Sequence, residues 1–346
     1  MTKVIRIVCM TVAAVLLQHI SLQAQNNWNL EYWQNPNLYT ETQNAVFLDL
    51  IGSTLDKFPP SLTPSLERKL ALYNLDAVLH TPRPDTTAAL KSYMEKRTDA
   101  VIADLDKPVS KGIRIYKIYN DGFIVRSKSA TVAFDICSRN GSLIPSEQME
   151  RLVKHCDVMF LSHNHSDHSD RAVVSVFNKL GIPVYAPENF WPENKEINHI
   201  RYTEIKDLHV GQVDVKVLPG HQDDLINNIH VVRFPEGFTV AHLGDQYNKD
   251  DLAWLKDVNK KLQFKKNGKK YRKLDVLIID CWIHDMNEHI KDFDPNIIVT
   301  GHENELGHTI DHREAFWLTY YKMEEVVKPD APYLIMSWGE WYNYGK

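Results

Sequence analysis

The nine residues Ser162-His163-Asn164-His165-Ser166-Asp167-His168-Ser169-Asp170 follow directly on the apolar run Val158-Met159-Phe160-Leu161. They concentrate three imidazoles and two carboxylates, the side chains that hold divalent transition metals. In an extended segment leaving a strand, positions i and i+2 point to the same side, so His163 and His165 converge on one cation. Asp167 and His168 come where the chain turns toward a helix, which rotates them away from the first pair and toward a second cation. Asp170 immediately precedes Arg171-Ala172-Val173-Val174-Ser175-Val176-Phe177. A carboxylate there accepts backbone N–H groups, so we read it as a helix N-cap and not as a ligand.

Each cation needs ligands from elsewhere, and an open catalytic site draws them from separate strand ends. The strand-like Val213 to Leu218 ends in Pro219-Gly220-His221, and His221 is expected to complete the first metal. The run Phe238 to Leu243 ends in Gly244-Asp245, where one carboxylate offers an oxygen to each cation. Asn296 to Thr300 ends in Gly301-His302, and His302 completes the second metal.

This ordered set, His163, His165, Asp167, His168, His221, Asp245 and His302, resembles the dinuclear hydrolases of the metallo-β-lactamase-fold superfamily over about residues 112 to 345. The resemblance implies an α/β fold, a four-layer αββα sandwich with the metals at one edge. It also implies that Asp135, which ends the strand-like Ala130 to Phe134, buttresses the metal loop without being a ligand. Within the superfamily, S-H-N-H-x-D-H-x-D and H-x-G-D are similar to the branch that includes ascorbate-6-phosphate lactonase and N-acylphosphatidylethanolamine-hydrolysing phospholipase D. The last motif, Gly301-His302-Glu303-Asn304-Glu305-Leu306-Gly307-His308, departs from the His-x-Gly-Thr ending usual there, so no substrate is carried over.

The expected activity is hydrolysis of a small lactone, ester or phosphoester. Two divalent cations acidify a bridging water to a hydroxide that attacks, and Asp167 orients it and accepts its proton. Zinc suits imidazole and carboxylate, and manganese or iron is accepted by the same donors. The leaving group takes its proton from a metal-bound water, from His284 or from His308. His242, inside a strand, is read as supporting the ligands. A β-lactamase-type amide hydrolase is the first rival, opposed by Asp245, since lactamases with this His pattern typically lack the bridging carboxylate. A non-catalytic metal-binding scaffold is the second, and it requires a closed coordination sphere, whereas seven ligands around two cations leave positions for water.

Residues 1 to 24 read as a cleaved signal peptide: Lys3 and Arg6 precede an apolar stretch from Ile7 to Leu17, too short to span a bilayer, and Leu22-Gln23-Ala24 follows. The protein is therefore expected outside the cytoplasm, periplasmic or secreted. Loss of Lys3 and Arg6 takes the formal charge from −5 to −7. Such an acidic chain is a poor nucleic-acid binder. Cys137, Cys156 and Cys281 remain and are expected to be free and buried, Cys137 and Cys156 because they fall at opposite ends of neighbouring parallel strands.

Residues 25 to 111 show helical spacing and are read as a three-helix extension. Thr63-Pro64 is read as N-cap and first turn of the second helix. These helices pack outside the sandwich or overhang the metals as a lid. From Gly112 the pattern turns to strands, with Asn120-Asp121-Gly122 as a hairpin turn, and 112 to 346 forms the hydrolase domain. Between Asn259 and Lys273 eight basic residues flank Asn267-Gly268, a hairpin or loop able to meet a membrane or another anionic surface.

Overall fold

The computed structural model describes residues 36–200, 205–262, 264–266, 269–271 and 274–345. The leader read at 1 to 24 lies outside them, as do the side chains of 263 to 273. The chain divides into two compact units, 1–47 and 48–346. Of the first unit, residues 36–47 are described and are helical.

The second unit is built on period-two alternation in which both faces are apolar. β1 (Ile113–Tyr119) and β2 (Gly122–Arg126) form an antiparallel hairpin. Ile113, Ile115, Phe123 and Val125 face one buried cluster, while Tyr116, Ile118 and Ile124 face another. A sheet buried on both sides presents apolar residues on both faces. β3 (Thr131–Phe134) pairs antiparallel with β2, β4 (Val158–Phe160), β5 (Val184–Pro187) and β6 (Ile197–Ile200) follow it in parallel, and the last strand, Glu340–Tyr344, lies antiparallel beside β1. The second sheet takes β7 (Lys206–Val210), β8 (Val213–Gln222), β9 (Leu225–Arg233) and β10 (Thr239–His242) as an antiparallel meander. The parallel strands Leu274–Asp280, Pro295–Gly301 and Tyr333–Leu334 complete it. The basic segment contributes a separate two-stranded ribbon, Phe264–Lys266 with Lys269–Tyr271.

Four layers result. Val132, Phe134, Val158 and Phe160 of the first sheet meet Val215, Val217, Val232, Val240, Val276, Ile278 and Val299 of the second in one interior cluster. The outer face of the first sheet is covered by the helices Leu66–Leu79, Ala88–Leu105, Ser146–Val153 and Arg171–Lys179. The helix Met286–Phe293 and the short turns around Leu255 and Val258 cover the second sheet. The two helices from the segment read as an extension thus lie in the same buried cluster as the strands.

Two local expectations change. Ser65, not Thr63, caps the second helix, its Oγ accepting from Arg68 N at 3.2 Å. β8 does not stop at Leu218: it continues to Gln222, with Pro219 opposite Asn228 and His221 opposite Ile226. Beyond Val217, β9 is its partner strand among the described residues. Cys137, Cys156 and Cys281 are free and buried.

Candidate metal centre

The centre forms where β4 ends and the chain turns into the helix Arg171–Lys179. Asp135, one residue past β3, organises that turn: its carboxylate accepts from Ser162 N at 2.7 Å, from Ser162 Oγ, and from His168 Nδ1 at 2.9 Å. Burial pushes its pKa up, but the bond and charge of His168 outweigh it and the net shift is down.

These bonds fix the imidazole tautomers. Ser162 Oγ donates to Asp135, so toward His163 Nδ1, 2.9 Å away, it can only accept. The His163 proton is therefore on Nδ1, and Nε2 presents a lone pair. His168 likewise spends its Nδ1–H on Asp135 and turns Nε2 to the centre. A carboxylate or hydroxyl on the far nitrogen is the usual means of orienting a metal-binding histidine.

Two groups of donors converge. His163, His165 and Asp245 form one, with ligand atoms within 4.8 Å of one another, and Asp167, His168, Asp245 and His302 form the other. Asp245 belongs to both. Its Oδ1 is 3.0 Å from His168 Nε2, and its Oδ2 is 3.6 Å from both His163 Nε2 and His302 Nε2. Gly244 permits this approach: at φ +53° it brings the turn so near that a Cβ would lie 2.4 Å from that of Ser162. Asp167 Oδ2 lies 3.0 Å from His302 Nε2 and 3.2 Å from His168 Nε2.

The donor set fits a pair of cations. His163 Nε2, His168 Nε2 and Asp245 Oδ1 are buried without a hydrogen-bond partner among the described residues. A buried lone pair left uncompensated, as at His163 Nε2, costs several kcal/mol unless a cation meets it. Titration directions agree. Burial pushes His163 down to about 3. Burial also opposes charge on His168 and His302, yet Asp245 foremost, with the other carboxylates nearby, holds both well above the ordinary imidazole value. The carboxylates thus keep positive charge in the centre, and a cation entering it would displace those protons.

His221 joins neither group. At the end of β8 its Nδ1 is 3.1 Å from both oxygens of Asp251, which also accepts from Gln246 Nε2 and Trp254 Nε1. Asp170 is the helix cap as read, but it does more: Oδ1 accepts from Ala172 N, while Oδ2 accepts from Ser138 N, Ser138 Oγ and Asn140 N. His284 is exposed, its Nε2 2.9 Å from Tyr247 Oη, beside a cleft of about 540 Å³ lined by Tyr247, Trp282, Glu288, Glu314 and Lys322. Trp282 connects cleft and centre, its Nε1 3.1 Å from His302 Nδ1. The turn after His302 is held by distant partners: Glu303 pairs with buried Lys117, Asn304 Nδ2 donates to Asp76, and Glu305 accepts from Tyr119. Asp280, whose burial raises its pKa well above the carboxylate range, and the pair Asn120 and Asp121 complete the surroundings; sequence patterning alone does not mark them, because their role depends on contacts between distant segments.

No protein-family model and no curated protein matches this sequence. Solved structures do match. One is Igni18, a novel metallo hydrolase from the hyperthermophilic archaeon Ignicoccus hospitalis KIN4/I, 15% identical, with TM-score 0.51 over 68% of this chain and 99% of that one. The chain shares its fold with that structure. Other solved structures align less closely. CmlA, a diiron β-hydroxylase from Streptomyces venezuelae, is 13% identical with TM-score 0.49 over 69% of this chain and 55% of that one. YhfI from Bacillus subtilis, a metallo-β-lactamase fold protein, is 13% identical with TM-score 0.44 over 67% and 99%. In this chain both donor groups lie where strands leave the sandwich.

Proposed function

We propose that this chain is a hydrolase that works with two divalent cations on a small lactone, ester or phosphoester, outside the cytoplasm. The observation that carries the reading is Asp245, one carboxylate shared by two donor groups. Zinc is the cation this donor chemistry suits best, and manganese or iron is accepted by it. Bound cations supply Lewis acidity and a water acidified to near neutral pH.

The chain's own residues do the rest. His163 and His168 offer lone pairs whose direction Ser162 and Asp135 fix. Asp167, its Oδ2 held by Asn120 Nδ2 at 2.9 Å, is the carboxylate placed to accept a proton. Burial of His163, Asp167, His168, Asp245 and His302 keeps bulk water from screening these charges. At the cleft, His284 Nε2 and Tyr247 Oη share a proton that either can deliver to a leaving group. Asp285, Glu288 and Glu314 there outnumber Lys322, which favours a neutral lactone or ester over a phosphoester. No described helix is long and apolar enough to cross a membrane. Surface contact through 260 to 273 is part of the proposal, and sedimentation with anionic vesicles tests it.

The decisive experiment combines metal content of the purified protein with turnover of chromogenic lactone, ester, phosphodiester and cephalosporin substrates. About two cations per chain and lactone or ester turnover are expected, with a loss on the order of 100-fold or more in His165→Ala. Faster cephalosporin turnover would instead support the amide hydrolase, and bound metal without any turnover the scaffold. A protein that takes up no transition metal sinks the reading.

A further inference from the structure

The β1–β2 connection, Asn120-Asp121, is an ordinary hairpin turn by sequence, yet Asn120 is 0% and Asp121 1% exposed. Hairpin turns normally lie in water because their polar backbone needs partners. Here the partners belong to the second donor group. Asn120 Nδ2 donates to Asp167 Oδ2 at 2.9 Å, and its carbonyl accepts from His302 N at 3.3 Å. The Asp121 carbonyl accepts from His242 Nε2 at 3.0 Å, and His242 Nδ1 accepts from Gly244 N, next to Asp245, at 3.2 Å. Asp121 Oδ1 is seated 1.8 Å from where a Cβ on Gly301 would lie, so a side chain before His302 would displace the Asp121 carboxylate. One turn thus reaches Asp167 by a side chain, His302 by the backbone and Asp245 through His242.

We propose that Asn120 is the positioning residue for the second cation, an inference that rests on the two-cation reading. Asp167 Oδ2 faces three nitrogens, Asn120 Nδ2, His168 Nε2 and His302 Nε2. The imidazole nitrogens must give up their protons to become ligands, so neither can donate to Asp167 once a cation is held. The amide of Asn120 is the donor that persists. It keeps the carboxylate from rotating out of the group, and its bond to Asp167 is the one hydrogen bond its side chain makes among the described residues. The backbone at Asn120 has φ 52°, a conformation asparagine tolerates better than most residues, so one residue type serves turn and donor.

Asn120→Gly separates the two roles, because glycine keeps the left-handed turn and removes only the amide. Asn140→Gly, at an exposed asparagine with the same φ of 52°, is the backbone control. Metal-free protein is titrated with Co²⁺ and followed by calorimetry and by the visible spectrum of each equivalent. In Asn120→Gly the first equivalent is expected to bind as in the unaltered protein and the second about 10- to 100-fold more weakly, with Asn140→Gly unchanged. If the glycine variant does not yield soluble protein, Asn120→Ser, whose hydroxyl falls short of Asp167, is titrated in its place. Two equivalents bound with unaltered affinities by the variant overturn this inference alone. Fewer than two equivalents in the unaltered protein overturn the two-cation reading and this inference with it.

Discussion

At the scale of single residues, the buried histidines divide by what their nitrogens meet. His163 and His168 have one nitrogen committed to Ser162 or Asp135 and the other aimed at the centre, whereas His230 on β9 has neither nitrogen partnered among the described residues. It packs 5.0 Å from the Phe160 ring, and burial pushes its pKa down to about 3. The sign follows directly. The unfolded chain takes up a proton at His230 below about pH 6.5 and the folded chain does not until about pH 3, so stability is full above 6.5 and falls as pH drops. His230→Leu removes this group's share. Metal-free variant and parent, unfolded in urea at pH 7.5 and pH 5, should differ in their acid-side loss by about 2 kcal/mol, the parent losing more. Equal losses would show that His230 is not held neutral.

At the scale of elements, Asp170 joins a helix to a loop. Its Oδ1 caps Arg171–Lys179 while its Oδ2 gathers Ser138 and Asn140, so Asp170→Ala removes a cap and strands the amides of another segment. A cap alone is worth about 1 kcal/mol and bonds to a buried charge about 1.5 to 3, so a loss of about 2 to 4 kcal/mol in urea unfolding is expected. A loss under about 1 kcal/mol would reduce Asp170 to a cap. Alternation in Ile113–Tyr119 and the strand–turn–helix at 158 to 179 were legible in the sequence because each is set by neighbours within a few residues. The two donor groups could be anticipated because each motif ends a strand, and strand ends gather at one edge of a sheet. What could not be read depended on distant partners. His221 lies within β8 because pairing with β9 carries that strand past Pro219 to Gln222, and Asn120 looks like any hairpin asparagine until Asp167 is folded against it.

At the scale of the whole molecule, the helices before residue 112 are tied to the end of the chain by a buried ion pair. Arg68 makes two bonds to Glu340, at 2.8 and 2.6 Å, and its guanidinium also donates to the Phe58 and Ile335 carbonyls, with both side chains almost wholly buried. Arg97 stands 3.9 Å from the same carboxylate and pairs with Asp56. The pair is therefore asymmetric. Glu340→Gln leaves two buried guanidiniums without their shared counter-charge, whereas Arg68→Met leaves Glu340 with Arg97 still beside it. Breaking a buried pair from one side costs about 3 to 5 kcal/mol, and that range is expected for Glu340→Gln, with a smaller loss for Arg68→Met. Unfolding followed separately by near-ultraviolet and far-ultraviolet circular dichroism should remain a single coincident transition in both variants, since Leu72, Leu75, Leu90 and Met94 share one core with Tyr116, Ile118 and Ile124. Two separated transitions would mean that the helices form an independently folding appendage, and a larger loss in Arg68→Met would mean that Arg97 does not sustain Glu340.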